Sequence, residues 1–171
     1  MTLSRRRFLS VSGALAFAPS LAQGAGYTRW EGKALGAMCE ITLRAPPAKA
    51  QPALEAALAT LREVEAQFNL YDPGSSLSHL TKAGQLLHPS AIFAGMMGIA
   101  DRMHRVTQGR FDPSIQPLWQ ALAQGTDVAA ARAHVGWDRV RWSRDEIRLD
   151  AGQALSFNGI GQGYATDLVS Q

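Results

Sequence analysis

Residues 49–69 constrain the fold more than any other stretch. Leu54, Leu58, Leu61, Val64 and Phe68 recur there at spacings of three and four, which places them on one face of a helix. Glu55, Arg62, Glu63 and Glu65 mostly fall elsewhere. A helix with a single apolar stripe must bury it against a second layer. With 171 residues the chain is long enough to build that layer and a core.

Strand and helix signals surround this helix. Residues 27–35 and 37–43 alternate around Gly36 and read as a hairpin. Asp72-Pro73-Gly74 is a turn, with Ser75 or Ser76 as the cap of a short helix through Leu80. A second long helix is expected over residues 90–107, with Phe93, Met96, Met97, Ala100, Met103 and His104 on its apolar side and Gly109 after its end. Its methionines suit a core or a soft binding groove. A further helix is expected from Thr126-Asp127 to His134. A hairpin over 137–142 and 146–149 and a strand at 154–157 follow. Strands and helices mix without regular βαβ alternation, so the expected class is α+β, with helices packed on a mixed or antiparallel sheet.

Charge excludes one class of partner. The formal net charge is +3, from 17 basic and 14 acidic residues. Arg5, Arg6 and Arg7 stand in a segment of N-terminal residues without acids, so the rest of the chain carries 14 of each sign. A nucleic-acid binder keeps a basic patch, and this balance argues against one. Cys39 is the single cysteine. It can form no internal disulfide and no cysteine metal site, and its alternating surroundings suit a buried strand position.

The N-terminus reads as an address. Arg5-Arg6-Arg7 precede Phe8-Leu9, an apolar run over 11–17 and the small residues Ser20 and Ala22. That order is a secretory signal of the twin-arginine type, expected over residues 1–22 and cleaved on export to the periplasm. Its apolar run is too short for a membrane span, which needs about 20 residues. No later segment is apolar enough to span, so no stable membrane anchor is expected after cleavage.

Three segments carry chemistry. Residues 156–167 place Gly159, Gly161 and Gly163 at alternate positions where a helix begins. Backbone approaches a ligand closely at glycine, and the free N–H groups of a helix start suit phosphate. A glycine-rich turn with no ligand has the same pattern, and Tyr164 removes the dinucleotide fingerprint. In residues 109–118, Asp112 fits either a cap for a short helix after Pro113 or a group beside a ligand. Tyr71, beside its turn, fits either a core edge or an exposed ring that stacks on a flat ligand.

Taken in order, these segments resemble the ApbE family, the FAD:protein FMN transferases. The resemblance rests on Leu35-Gly36-Ala37, "LYDPGSSLS" at 70–78, "GRFDPSIQPL" at 109–118 and "GIGQGYATD" at 159–167, and it covers residues 30–171. The Leu-Gly-Ala and Gln-Gly-Tyr variants, with the twin-arginine signal, look most like the branch serving nitrous oxide respiration.

The resemblance implies a transferase that moves FMN from FAD to a Thr or Ser hydroxyl of an acceptor flavoprotein, with Mg²⁺. It implies that Leu35 and Tyr71 lie against the flavin nucleotide and that Asp112 and Ser114 lie in the loop beside it. Gly159, Gly161, Gln162 and Gly163 would line the pyrophosphate, the Gly161 carbonyl would be a metal ligand, and Asp167 would hold the nucleotide. Two departures stand out. Gln162 occupies a position where the family usually has lysine, and so brings no fixed charge. Family members are also longer, with an aspartate and a threonine metal ligand in the half beyond this chain. Residues 27–171 are therefore expected to be the N-terminal part of a transferase domain. A non-catalytic periplasmic flavin carrier is the alternative.

Overall fold

The structure, a computed structural model, describes residues 20–24 and 27–170. The expected signal at 1–22 lies outside the described residues except for its last three. The chain divides into two compact parts, one through Leu54 and one from Glu55.

The first part is an antiparallel meander of β1 (Ser20–Gly24), β2 (Tyr27–Ala34) and β3 (Ala37–Leu43), in that order. Strand β2 alternates strictly, burying Thr28, Trp30, Gly32 and Ala34 on one face. Gly32 is required there, because a Cβ at this position would collide with the indole of Trp30. Leu35 and Gly36 form the tight turn to β3 with φ of 52° and 74°. Both values are left-handed, as a two-residue turn of this type requires. Leucine is strained in that region and glycine is not. Cys39 is half-buried in β3, and its thiol lies 3.4 Å from the Ala34 carbonyl.

Helix α1 (Pro47–Phe68) passes from the first part into the second. Its buried stripe is Ala50, Leu54, Ala57, Leu61, Val64 and Phe68. Leu58 was expected on this stripe but is only half-buried. Ala57 takes its place, because the buried positions run from Ala50 to Phe68 in alternating steps of four and three, and Leu58 lies one residue off that series.

The second part holds α2 (Ser76–Ala83), β4 (Gln85–Leu87) and α3 (Ala91–Val106). They are followed by α4 (Gln116–Gln124), α5 (Val128–Arg132), β5 (Arg141–Trp142), β6 (Glu146–Arg148) and α6 (Gly161–Val169). Ser75 caps α2 by accepting from Ser78 N at 3.1 Å, and Ser90 caps α3 by accepting from Phe93 N at 3.0 Å. Strands β4, β6 and β5 form a small antiparallel sheet with β6 central and Ile147 fully buried.

Four sequence expectations change here. Helix α4 extends well beyond the short helix expected after Pro113, with Pro117 in its first turn and left-handed Gly125 after its end as ordinary helix boundaries. Residues Trp137–Arg139 form a 3₁₀ turn, which shortens the hairpin to β5 and β6. The helix after Asp127 ends at Arg132 rather than His134. Ala154, Leu155 and Phe157 are buried, but residues 154–157 form no strand, because Ser156 N donates to Pro113 O at 2.8 Å in a loop instead of a ladder.

The core of this part centres on three rings. Phe68 of α1 and Phe93 of α3 lie 5.0 Å apart between centroids, and Phe157 meets Phe68 edge-on at 5.4 Å. Met96 and Met97 are fully buried and fill this core, so they form no groove. Helix α6 is tied to α3 by Tyr164, whose hydroxyl donates to Ile92 O at 3.0 Å. Gly95, one turn along α3, leaves room for that hydroxyl.

Phe157→Ala should lower unfolding free energy by about 3–5 kcal/mol, read as a lower urea midpoint; a shift below about 1 kcal/mol would mean that the ring cluster is not central. Burial pushes the Tyr164 phenol above its ordinary value of 10.0. The folded chain then holds this proton more tightly than the unfolded chain, so the contribution is intact below pH 10.0 and is lost as pH rises through the raised value. Thermal melts should show this alkaline loss, and Tyr164→Phe should remove it while costing about 1 kcal/mol at neutral pH.

Candidate functional site

A cleft of about 620 Å³ opens in the second part. Its walls are Leu70 and Tyr71, the loop 109–112, the start of α4, Arg132 at the end of α5 with Val135 beyond it, and Ser156, Asn158 and Gly159. This volume lies in the range of small-molecule sites.

Local hydrogen bonds fix each wall. After α1 ends, Asn69 Oδ1 accepts from Tyr71 N at 2.9 Å and Asp72 Oδ1 accepts from Gly74 N at 2.8 Å. These side-chain turns hold Tyr71 outward with 82% of its surface exposed. Phe111 is clamped from α3. Its amide donates to Thr107 Oγ1 at 3.0 Å, and its carbonyl accepts from His104 Nδ1 at 2.9 Å. A carbonyl only accepts, so Nδ1 carries the proton. Phe111 in turn lies 3.4 Å from where a Cβ on Gly159 would stand.

Asp112 lines the cleft, yet its carboxylate is turned into the protein. Oδ1 accepts from Ser114 N at 2.8 Å and Ser114 Oγ at 2.6 Å, and Oδ2 accepts from Trp137 N at 3.3 Å. Ser114 is fully buried, and its Oγ accepts from Gly136 N at 2.7 Å. The Gly136 carbonyl accepts from the buried Gln153 at 2.8 Å. The capping role of Asp112 is therefore present, and Ser114 joins its own loop to the loop of Gly136.

Of the residues singled out from the sequence, Tyr71, Asp112 and Gly159 meet at the cleft. Gly161, Gln162, Gly163 and Asp167 lie on the first turns of α6, outside its walls, with Gln162, Gly163 and Asp167 exposed. Leu35 belongs to the first part. Sequence reasoning passed over Arg110, Trp119 and Arg132, all of which line the cleft. Trp119 is 55% exposed, unusual for tryptophan, and that exposure is visible only once α4 is placed.

The donor set does not suit Mg²⁺, which takes oxygen ligands in octahedral geometry. Among the described residues no three His, Cys, Asp or Glu side chains cluster as metal ligands. The carboxylate at the cleft already accepts three hydrogen bonds from the chain itself, and Gly161 lies outside the cleft walls.

Ser114→Ala should strand Gly136 N–H and free one acceptor bond of Asp112, costing about 1–3 kcal/mol. Hydrogen exchange should show faster opening at Gly136 and Trp137 with α1 unchanged. Uniform exchange would mean that Ser114 ties nothing together.

Residues 35–171 match the ApbE family. The FAD:protein FMN transferase of Haemophilus influenzae is 25% identical over 132 residues, which cover 66% of this chain and 38% of that protein. The ApbE protein of Thermotoga maritima superposes with a TM-score of 0.74 at 18% identity, covering 84% of this chain and 51% of the other. Flavinyl transferase ApbE of Pseudomonas stutzeri in its apo form gives 0.74 at 20% identity, covering 90% and 55%. The Vibrio cholerae flavin transferase ApbE gives 0.74 at 21%, covering 84% and 52%. The chain thus spans about half the length of these structures, which share its α+β fold. Because the family match takes in most of the chain, this protein belongs to the ApbE family.

Proposed function

We propose that this chain carries the flavin-nucleotide site of an FAD:protein FMN transferase. The observation that carries the reading is the cleft itself. It brings Tyr71 of the 70–78 motif, the Arg110–Asp112 loop of the 109–118 motif, and Ser156, Asn158 and Gly159 at the start of the glycine-rich segment onto one cavity. An exposed phenol supplies a stacking face, and two guanidinium groups suit phosphate.

In the proposed reaction, a Thr or Ser hydroxyl oxygen of the acceptor protein attacks the FMN phosphorus of FAD. A new P–O ester bond forms as the P–O bond to AMP breaks, and AMP leaves. The hydroxyl proton passes to a base not among the residues assigned here. Transfers of this kind depend mainly on positioning and charge neutralisation. This chain's contribution is to hold the nucleotide: Tyr71 against a ring, and the fixed loop 109–112 at its side. Mg²⁺ would need oxygen ligands beyond those described. That deficit favours a second reading, a flavin-binding protein without transfer activity. Periplasmic location by the twin-arginine route is part of the proposal and rests on Arg5 to Ala22. No helix among the described residues is long and apolar enough to cross a membrane.

Incubation with FAD, Mg²⁺ and a candidate acceptor flavoprotein should raise the acceptor's mass by one FMN. Tyr71→Ala should weaken FAD binding about tenfold. Tight FAD binding with no mass gain would favour the carrier. If FAD does not bind at all, both readings fail.

A further inference from the structure

The cleft holds two arginines that no motif assigned. Arg110 comes from the loop after α3 and Arg132 from the last turn of α5, and both line the cleft. Arg29, Arg105, Arg139, Arg141 and Arg148 each reach a carboxylate within 4.0 Å. Among the described residues, Arg110 and Arg132 have no such partner. Among the described residues Asp112 forms an ion pair with neither, and its oxygens accept from Ser114 and the Trp137 amide. Segment 156–167, where glycine spacing suggested phosphate, contains no lysine or arginine.

The backbones that carry the two arginines are fixed while their side chains are free. Arg110 N donates to Thr107 O at 3.2 Å, and the next residue is clamped by His104 and Thr107. Helix α5 is capped by Asp127, whose Oδ1 accepts from Ala129 N at 2.9 Å and Ala130 N at 3.0 Å. Two cations on separate, anchored elements face one cavity. A lone phosphate engages one guanidinium fully, whereas two linked phosphates give each a partner.

We propose that Arg110 and Arg132 form an anion clamp, with Arg132 the residue that makes the cleft prefer a diphosphate-linked nucleotide over a monophosphate. The proposal rests on the reading of the cleft as a flavin-nucleotide site and names a specificity residue within it. Both side chains are exposed, so binding weakens with added salt.

The test is a fluorescence titration of the full chain with FAD, FMN and riboflavin, at low and high salt. Wild type should bind FAD more tightly than FMN, and FMN more tightly than riboflavin. Arg132→Gln should cost FAD about tenfold, FMN less and riboflavin nothing, with the melting temperature unchanged. Arg132→Lys should recover part of the loss. Unchanged FAD affinity, or equal losses for all three flavins, would overturn the proposal. Inorganic pyrophosphate separates the two layers of the argument. If no flavin binds but pyrophosphate raises the melting temperature of wild type and not of Arg132→Gln, the flavin reading fails and the clamp stands. If pyrophosphate also has no effect, the clamp falls.

Discussion

Phe68, Phe93 and Phe157 meet with centroids 5.0 to 6.1 Å apart, and the geometry of the cleft follows from that contact. Phe68 ends α1, and Leu70 and Tyr71 follow it directly onto the cleft wall. Phe157 lies between Ser156 and Asn158, which also line the cleft. Phe93 sits on α3, whose last turn supplies the His104 and Thr107 that clamp Phe111. Two of the walls thus lie within three residues of a ring of the cluster, and a third is tied to the helix that carries Phe93. Aromatic cores are dense and rigid, so the separation between walls is set by packing instead of by loop length.

Charge is arranged by the same economy of position. Asp112 is the acid at the cleft, and its carboxylate is drawn inward by three donors. Each of those bonds replaces one to water, so the group remains satisfied while it faces away from the cavity. Arg110 and Arg132 outnumber this one acid on the cleft lining, so the balance of charge there is positive. Had Asp112 faced outward, it would have repelled any phosphate placed there.

Much of the local structure was legible because it follows short-range rules. Alternation located β2 and β3, serines marked the starts of α2 and α3, and Asp127 marked α5. What failed depended on distant partners. Residues 154–157 look like a strand in isolation, but Ser156 N bonds to Pro113 O, a residue far along the chain. The full length of helix α4 was hidden because Pro113 and Pro117 stand close together at its start. Tyr71 and Asp112 were legible because each stands at the boundary of an element with a recognisable turn or cap. Arg132 was not, since nothing in an alanine-rich helix distinguishes one arginine from another until α5 is set beside α4 and the loop after α3.

The glycines of α6 bear on what this segment is built to meet. Gly159 has an internal reason, with Phe111 3.4 Å from the place of a Cβ. Gly161 and Gly163 have none, because nothing lies within 4 Å of either position. Neither has positive φ, so alanine would suit the backbone. Glycine in a helix costs about 1 kcal/mol relative to alanine, and no packing among the described residues offsets that cost here. Among the described residues, Gly161 N reaches Phe157 O at 2.7 Å and Tyr164 N reaches Ile160 O at 3.0 Å, whereas the amides of Gln162 and Gly163 reach no carbonyl of the preceding turn. A start of helix that is bare, uncapped by any side chain and weakened by two glycines is poorly explained by the stability of this chain. Its composition makes physical sense if another surface, a ligand or further protein, comes close enough that a methyl group would be in the way.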